Sequence, residues 1–574
     1  MTNDSDSTGN DPEPTTRRRA VFPWAYVGVL VAVRVGVEIA DVASDIKVVI
    51  NYALIALGTI GLAVWYLFRG RAAWPVRLAV AAAPFAAVAA VVSLYELRMA
   101  GDGTIAGLHR RTAAKADQLL DKPQASPSGE RLTDWGPGPY DYPRFLGAGP
   151  WAEAVGPPID ADWQASPPKE LWRRPVGAGW SAFAVQGAYA VTQEQRGDDE
   201  LVVCYRLDTG DPVWSHADPV RFDPEDFGGQ MGRVGPRATP TIVGDRVYTQ
   251  GATGLVNCLD GPTGEVVWRL DTAQEYGAAV PVWGKSGSPL YLPEEGAVDR
   301  ALLIVNVGAP ADTGEGAYDA SLVALDAATG EEVWSAGWRQ TSYASPAVAR
   351  LAGELVVLQT VDDHLHARRA ADGELLFSYP WRGQSDNMPS CSQPIPLEGD
   401  RLLLSKGYGF GASLVQVSRD GDNWAAEPLW SPPIKRVLQT KFSNCVVRDG
   451  FAFALSDKLL QCVEIESGKI AWRARRSPAF EYGQVLLCGE HLLVTTEDSG
   501  EIVLVEASPD SYRELASLQV LADGETNWNN PVVAGDVLLV RNSVEAAAYR
   551  LPTAAVPDDV SDGGSAGESG ADGA

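Results

Sequence analysis

The chain opens on a polar stretch, passes through three long apolar runs, and then settles into short apolar runs punctuated by turn residues. Residues 1–16 are mainly Asp, Glu, Ser, Thr, Asn and Pro with almost nothing to bury, the composition of a disordered tail. Runs 21–40, 46–68 and 76–97 can each cross about 30 Å of hydrocarbon as a helix. The second has no charge from Val48 to Phe68, and the third none from Leu78 to Tyr95. The first carries Arg34 and Glu38, whose four-residue spacing lets them pair on one helix face. Arg17, Arg18 and Arg19 precede the first run, Arg69, Arg71 and Arg77 separate the second from the third, and Asp41 and Asp45 lie between the first and second. Because Lys and Arg stay on the cytoplasmic side, this pattern predicts three crossings of the inner membrane, a cytoplasmic N-terminus and a periplasmic remainder. TRRRAVF (16–22) also resembles a twin-arginine export signal, although a basic flank before a first span reads the same. Residues 104–135 read as a short polar helix and a Pro-rich tether.

Beyond residue 170 one phrase recurs: CYRLDTGDPVW (204–214), NCLDGPTGEVVW (257–268), LVALDAATGEEVW (322–334), HARRAADGELLF (366–377) and QCVEIESGKIAW (461–472). An alternating apolar run, an Asp-x-Thr-Gly or its relative, and a second apolar run predict strand, tight turn and strand. In each copy a Gly stands four residues before the terminal aromatic and supplies the positive φ that the turn needs. The markers are Trp172, Trp214, Trp268, Trp334, Phe377, Trp430 and Trp472, with Leu515 taking that place in a degenerate eighth copy. Three strand-like runs separate successive markers, for example 239–244, 246–251 and 255–260, so each unit has four strands. Small four-stranded sheets at this period are propeller blades.

The repeat begins with a lone marker strand at 171–177 and ends with three strands that lack a marker, 530–551. The first strand is therefore expected to complete the last blade. The fold predicted is all-β, an eight-bladed propeller of four-stranded antiparallel blades closed by the domain's N-terminal strand, preceded by three transmembrane helices. The expected order is a disordered cytoplasmic tail (1–19), the three-helix anchor (20–99), a tether and lead-in (100–170), the propeller (171–553) and a disordered acidic tail (554–574).

Charge narrows the partners. With 47 Lys and Arg against 74 Asp and Glu, a net charge of -27 repels phosphate backbones and excludes nucleic acid. The 6 cysteines contain no CxxC, so neither zinc spacing nor a disulfide-dense scaffold is indicated. Cys204, Cys258 and Cys462 fall in third strands, where a thiol serves as a small core residue, with a disulfide as the alternative. His364 and His366 put two imidazoles on one strand face after Asp362 and Asp363, readable as a metal pair or as a solvated outer strand.

The repeat AxDxxTGxxxW, best matched by Ala324, Asp326, Thr329, Gly330 and Trp334, resembles the tryptophan-docking motif of the PQQ-like, or quinoprotein, β-propellers. That family holds PQQ-dependent alcohol and glucose dehydrogenases and the non-enzymatic BamB-type assembly factors, and the resemblance covers about two thirds of the chain. It implies that each docking aromatic packs between blades, and it says little about activity. YPRFLGAGPW (142–151) followed by LWRRPVG (171–177) is similar to the lead-in of membrane-anchored members.

In a four-strand meander the Thr-Gly turns occupy one face. Links from a fourth strand to the next blade, and from second to third strands, share the other. Candidates at that channel mouth for binding a ligand are Trp180, Arg237, Asn387, Lys406, Tyr408, Lys441, Asn444, Asn529 and Asn530. Three are cations in an acidic protein and suit an anionic small ligand, while polar side chains round a hydrated axis are also expected without one. Were the chain an enzyme, the resemblance implies PQQ and Ca²⁺, with Asn387, Asn444, Asp457 and Glu481 as oxygen ligands or base by loop position. The vicinal Cys-Cys and the Trp-x-Asp of the family's dehydrogenases do not occur here. The reading is a membrane-tethered, non-catalytic scaffold with a protein partner in the envelope, no metal and no assigned cofactor. The alternative is a PQQ-dependent dehydrogenase passing electrons to membrane quinone.

Overall fold

The computed structural model describes residues 17–40, 44–111, 116–123, 131–149, 152–227, 232–294, 298–310, 318–381, 389–430 and 437–554. It divides into two compact units, residues 1–113 and 114–574. Both expected terminal tails lie largely outside the described residues.

In the first unit α1 (Arg17–Ile39), α2 (Ser44–Arg69) and α3 (Trp74–Leu94) follow one another. α2 and α3 are long and apolar enough to cross a membrane. They turn Ile55, Leu57, Phe68, Val80 and Val88 outward, as a lipid-facing helix would. Tyr26 of α1 donates to the Leu57 carbonyl at 2.6 Å, and Asn51 of α2 donates to the Glu38 carboxylate at 3.3 Å. α3 stops at Leu94, short of the expected residue 97, because β1 (Tyr95–Met99) pairs antiparallel with β2 (Ile105–Arg110). Of the short polar helix expected within 104–135, the described residues hold a single 3-10 turn, Ala116–Gln118, and the range opens on β2 instead. The β1–β2 turn is closed by Gly103 at φ 83° and by Asp102, which accepts from the Thr104 amide at 2.9 Å.

The second unit is an eight-bladed propeller. Blade 1 comprises Ala184–Gln186, Tyr189–Arg196, Asp199–Arg206 and Pro212–Asp218, and six more antiparallel blades follow in chain order. Blade 8 takes three strands from Val532–Ala534, Val537–Arg541 and Glu545–Arg550 and its fourth from Lys169–Pro175, with Ala548 opposite Trp172. That is the closure the orphan strands predict. Short first strands of neighbouring blades approach one another and form the inner ring.

The Gly of each motif packs against the aromatic of the preceding blade, not against its own. Gly210, Gly264, Gly330 and Gly373 hold φ between 72° and 77°. A Cβ on any of them would lie 2.5 to 2.6 Å from the indole of Trp172, Trp214, Trp268 or Trp334, the marker of the preceding blade. The same indoles donate to Leu207, Gly261, Ala327 and Ala370, the residues that follow each third strand, at 2.8 to 3.1 Å. Trp472 donates likewise to Ser508 in blade 7. Trp430 lies beyond its blade's last strand, Asn423–Pro428, and is buried with Leu403, Ala452 and Val463 between blades 5 and 6. Phe377, with no N–H to donate, stacks on Trp424 of blade 5 at 6.2 Å.

The eighth marker needs correcting. In blade 7, Leu504 faces Ala516 and Val505 faces Glu514, so Leu515 is the bulge residue and Ala516 holds the marker position. The physical reason lies in closure: a blade 7 marker would pack on the third-to-fourth turn of blade 8, whose third and fourth strands come from opposite ends of the chain. No such turn exists for it to cover.

The lead-in packs into the propeller. Asp117 and Asp121 are held at the second-to-third hairpin of blade 1 by Arg221 (2.7 Å) and Arg196 (2.6 Å). Arg131 pairs with Asp245 on the opposite face (2.8 Å). The chain then enters the axis, bridging Tyr142 to Val185 and adding β3 (Glu153–Ala154) parallel to the first strand of blade 7, Val485–Cys488.

Candidate functional site

Where each link meets its blade's first strand, a belt of hydrogen bonds runs round the axis. Ala182 N donates to Thr239, Thr239 N to Ser288 and Ser288 N to Ser345, all through side-chain hydroxyls. Gln393 donates its side chain to Ser345 O and its amide N–H to Asn444 Oδ1. Gln484 reaches Phe442 O and Trp528 O, and Asn529 reaches Ser181 O. The belt crosses every junction from blade 1 round to blade 1 again. Asn444 and Asn529, named above as ligand candidates, are held in it. Asn530 is half-buried just before the first strand of blade 8, and Asn387 lies outside the described residues.

The three cations do not share one site: Lys406 and Lys441 both act on the Cys391 thiol, whereas Arg237 lies near Tyr343, Glu200 and Asp223. Arg237 lays its guanidinium over Phe222 at 4.5 Å and donates to the Gly235 and Arg233 carbonyls. Lys406 is buried at 1% exposure with Nζ 5.0 Å over Phe410, and burial pushes its pKa down to about 8.

Lys441 is different. Its ammonium lies 4.7 Å from the Tyr408 ring centre, 5.0 Å from Tyr482 and 5.8 Å from Phe442. Phe442 packs at 4.6 Å on Trp528, which meets Trp180 at 5.0 Å. Trp528 donates to the buried Glu497 at 2.9 Å, and Tyr482 donates to Asp457 at 3.1 Å. Lys458 pairs with Glu481 at 2.7 Å. Links and hairpins of blades 5 to 8 thus build one surface in which the half-buried rings of Tyr408, Phe442, Trp528 and Trp180 surround the buried Lys441 and Tyr482. Backbone strain gathers there too: Tyr408, Leu438, Asp457, Lys458 and Glu481 all have positive φ. Gly407 permits the approach, since a Cβ would lie 3.1 Å from the Lys441 backbone. Trp180, Tyr408 and Lys441 were legible as candidates, whereas Phe442, Lys458 and Glu497 were missed because their roles depend on contacts between blades.

The residues present do not fit PQQ with calcium. Among the described residues no three His, Cys, Asp or Glu side chains group to hold a metal. Asn444 Oδ1, Asp457 and Glu481 already serve Gln393, Tyr482 and Lys458. A pocket beside Asn529 and another beside Arg144, of about 10 and 20 Å³, have room for a water molecule each. His364 and His366 have ring centres 6.0 Å apart, with His364 on Asp363 at 2.7 Å. Burial and then Arg368 push the His366 pKa down to about 4. The six cysteines are free thiols.

Near Arg237, burial pushes the Glu200 carboxyl up to about 7, against an opposing hydrogen bond from the Ala252 amide at 3.2 Å. Its folded pKa lies above its ordinary 4.5. The contribution to stability is therefore complete below about pH 4.5 and is lost as pH rises through about 7. Glu200→Gln should remove most of that fall, about 3 kcal/mol for a shift of this size. Urea denaturation at pH 5 and pH 8 checks it, and a variant whose stability still falls by the wild-type amount would refute it.

A family model described as outer membrane protein assembly factor BamB matches residues 163–301, 198–427 and 297–530. The outer membrane protein assembly factor BamB of Burkholderia pseudomallei is 26% identical over 197 residues, 34% of this chain and 42% of that protein. The dehydrogenase subunit of alcohol dehydrogenase (quinone) from Acetobacter aceti is 23% identical over 268 residues, 42% of this chain and 33% of that one. The chain spans less than half the length of either curated relative. Among solved structures a europium-containing methanol dehydrogenase superposes with a TM-score of 0.50 at 12% identity, covering 71% of this chain and 91% of that one, a likeness of fold.

Proposed function

The chain belongs to the propeller family described as outer membrane protein assembly factor BamB, and from that premise we propose a non-catalytic, membrane-tethered interaction scaffold of the cell envelope. A partner protein docks on the mouth formed by blades 5 to 8. The observation that carries this reading is the run of half-buried rings from Tyr408 through Phe442 and Trp528 to Trp180 round Lys441. Aromatic anchors beside a cation, on strained loops of a rigid ring, are what protein hot spots are made of. α1 makes a third crossing with α2 and α3, the arginines that open α1 and those that lie at the end of α2 and before and within the start of α3 stay cytoplasmic, and the propeller lies in the periplasm.

The test is a photo-reactive residue placed at Phe442, or at Thr329 on the opposite face, in cells expressing the full chain. Irradiation is expected to join one discrete partner through Phe442 and none through Thr329, and Lys441→Ala with Trp528→Ala should cut the adduct at least ten-fold. Equal adducts from both faces would sink the docking surface. Dye reduction by purified protein given PQQ, Ca²⁺ and alcohols or sugars would sink the non-catalytic reading.

A further inference from the structure

The axis of this propeller is filled by the chain itself. Residues 138–149 and 152–156 run along the inner edges of the blades, mostly through main-chain contacts. Tyr142 exchanges hydrogen bonds with Val185 of blade 1 (3.1 and 2.8 Å), and Pro143 O accepts from Ile242 of blade 2 (2.8 Å). Ala152 O accepts from Leu487 of blade 7 at 2.9 Å, and Ala154 stands in register with Cys488. The approach is close: a Cβ on Gly156 would lie 2.6 Å from the Gly535 carbonyl of blade 8. Tyr142, Leu146, Ala152 and Ala154 are each at most 5% exposed. Arg144 caps its own loop by donating to Gly147 O (3.0 Å) and Ala148 O (2.8 Å).

Every blade nonetheless has its four strands without this segment. Closure of the ring is made by Lys169–Pro175, outside it. The first strands therefore offer their inner-edge N–H and C=O groups to a further chain, and an added main chain is the natural occupant of such an edge. A fifth strand of two residues, held by few backbone bonds, is also the kind of element that opens by itself while the sheets persist.

We propose that the axial channel is a binding site for an extended polypeptide, held occupied in cis by the lead-in, which opens as a local unit without the blades unfolding. The lead-in is an intramolecular ligand, and it closes the channel to any other. The chemical class the site takes is a main chain in β conformation with small or apolar side chains, as Tyr142, Leu146, Ala152 and Ala154 supply.

Cys488 is a native reporter. It is 8% exposed, stands in register beside Ala154 with the Tyr142 ring close to its thiol, and burial, followed by the neighbouring Glu153, raises its thiol pKa well above the ordinary range, so while covered it is neither reachable nor ionised. Cys204, Cys258 and Cys462 are fully buried in third strands and report global unfolding. The full chain is labelled with maleimide over increasing urea and each cysteine is read by peptide mass mapping. Cys488 is expected to label at least ten-fold faster than those three below the unfolding transition. Tyr142→Ala with Leu146→Ala should widen that gap, and a synthetic peptide of residues 138–156 added in trans should restore protection. If Cys488 labels only together with the third-strand thiols, the segment is part of the cooperative core and the proposal fails. If Cys488 opens early but the peptide gives no protection, the segment merely frays and the peptide site is wrong. The wild-type urea series decides the first point even if the double variant does not fold.

Discussion

Deletion of Lys169–Pro175 is expected to abolish the cooperative unfolding transition of the propeller and leave it insoluble or protease-sensitive. The strand pairs from Lys169 opposite Arg550 to Pro175 opposite Glu545, and it covers an edge whose Ala546, Ala547 and Ala548 are fully buried. Removing it opens blade 8 along its length and offers the edge to other chains. Arg173 adds ion pairs to Glu170 (2.8 Å) and Glu545 (2.9 Å) and a bond to Val520 O (3.0 Å), so one side chain joins both ends of the domain to blade 7. Trp172→Ala is the milder probe: it empties a site 8% exposed, loses the bond to Leu207 and uncovers Gly210, for an expected cost of about 3–5 kcal/mol. Thermal unfolding and limited proteolysis read both changes. A deletion variant that melted cooperatively at the wild-type temperature would show that blade 8 does not need the N-terminal strand.

The repeat was legible because one physical pair writes it. A Gly with positive φ makes the turn, a bulky aromatic four residues later begins the cover of the next blade's turn, and both leave residue types that survive in the bare sequence. Where the pair is absent the frame slips: with no Gly in the third-to-fourth turn of blade 7 and no aromatic at its marker position, spacing alone points to Leu515, one residue from Ala516, and one residue reverses the side of a strand. The lead-in was opaque for the opposite reason. Its grip on the axis is made by main-chain groups at Tyr142, Pro143 and Ala152 that any sequence carries. The mouth lies between these cases. Lys441 and Tyr408 could be chosen from a hairpin and a link, but the cluster exists because Phe442, Tyr482 and Trp528, separated by about forty residues each, are brought together by ring closure. Asn444 and Asn529 stood out as polar for a structural reason, the belt, which no local pattern distinguishes from a ligand site.

Gly373 and Trp334 allow the docking pair itself to be measured as a coupling. Gly373 has φ 75° and faces Trp334 so closely that an added Cβ would lie 2.6 Å from the indole. Gly373→Ala should therefore cost the left-handed backbone penalty, about 1–2 kcal/mol, together with the displacement of a docked tryptophan. Gly353 supplies the control, because it holds φ 80° with nothing within 4 Å of its Cβ position, so Gly353→Ala carries the backbone penalty alone. Trp334→Ala, at 7% exposure and with the loss of its bond to Ala370 at 3.1 Å, should cost about 3–5 kcal/mol. Once the indole is gone the alanine at 373 has room. Gly373→Ala with Trp334→Ala should then fall short of the sum of the two single costs by about 1–2 kcal/mol, while Gly353→Ala with Trp334→Ala should be additive within about 0.5 kcal/mol. Urea denaturation of the three single and two double variants gives both cycles. Equal costs for the two glycine changes, or additivity in both cycles, would mean that the glycine of the repeat serves the turn alone and that the contact between blades does not select it.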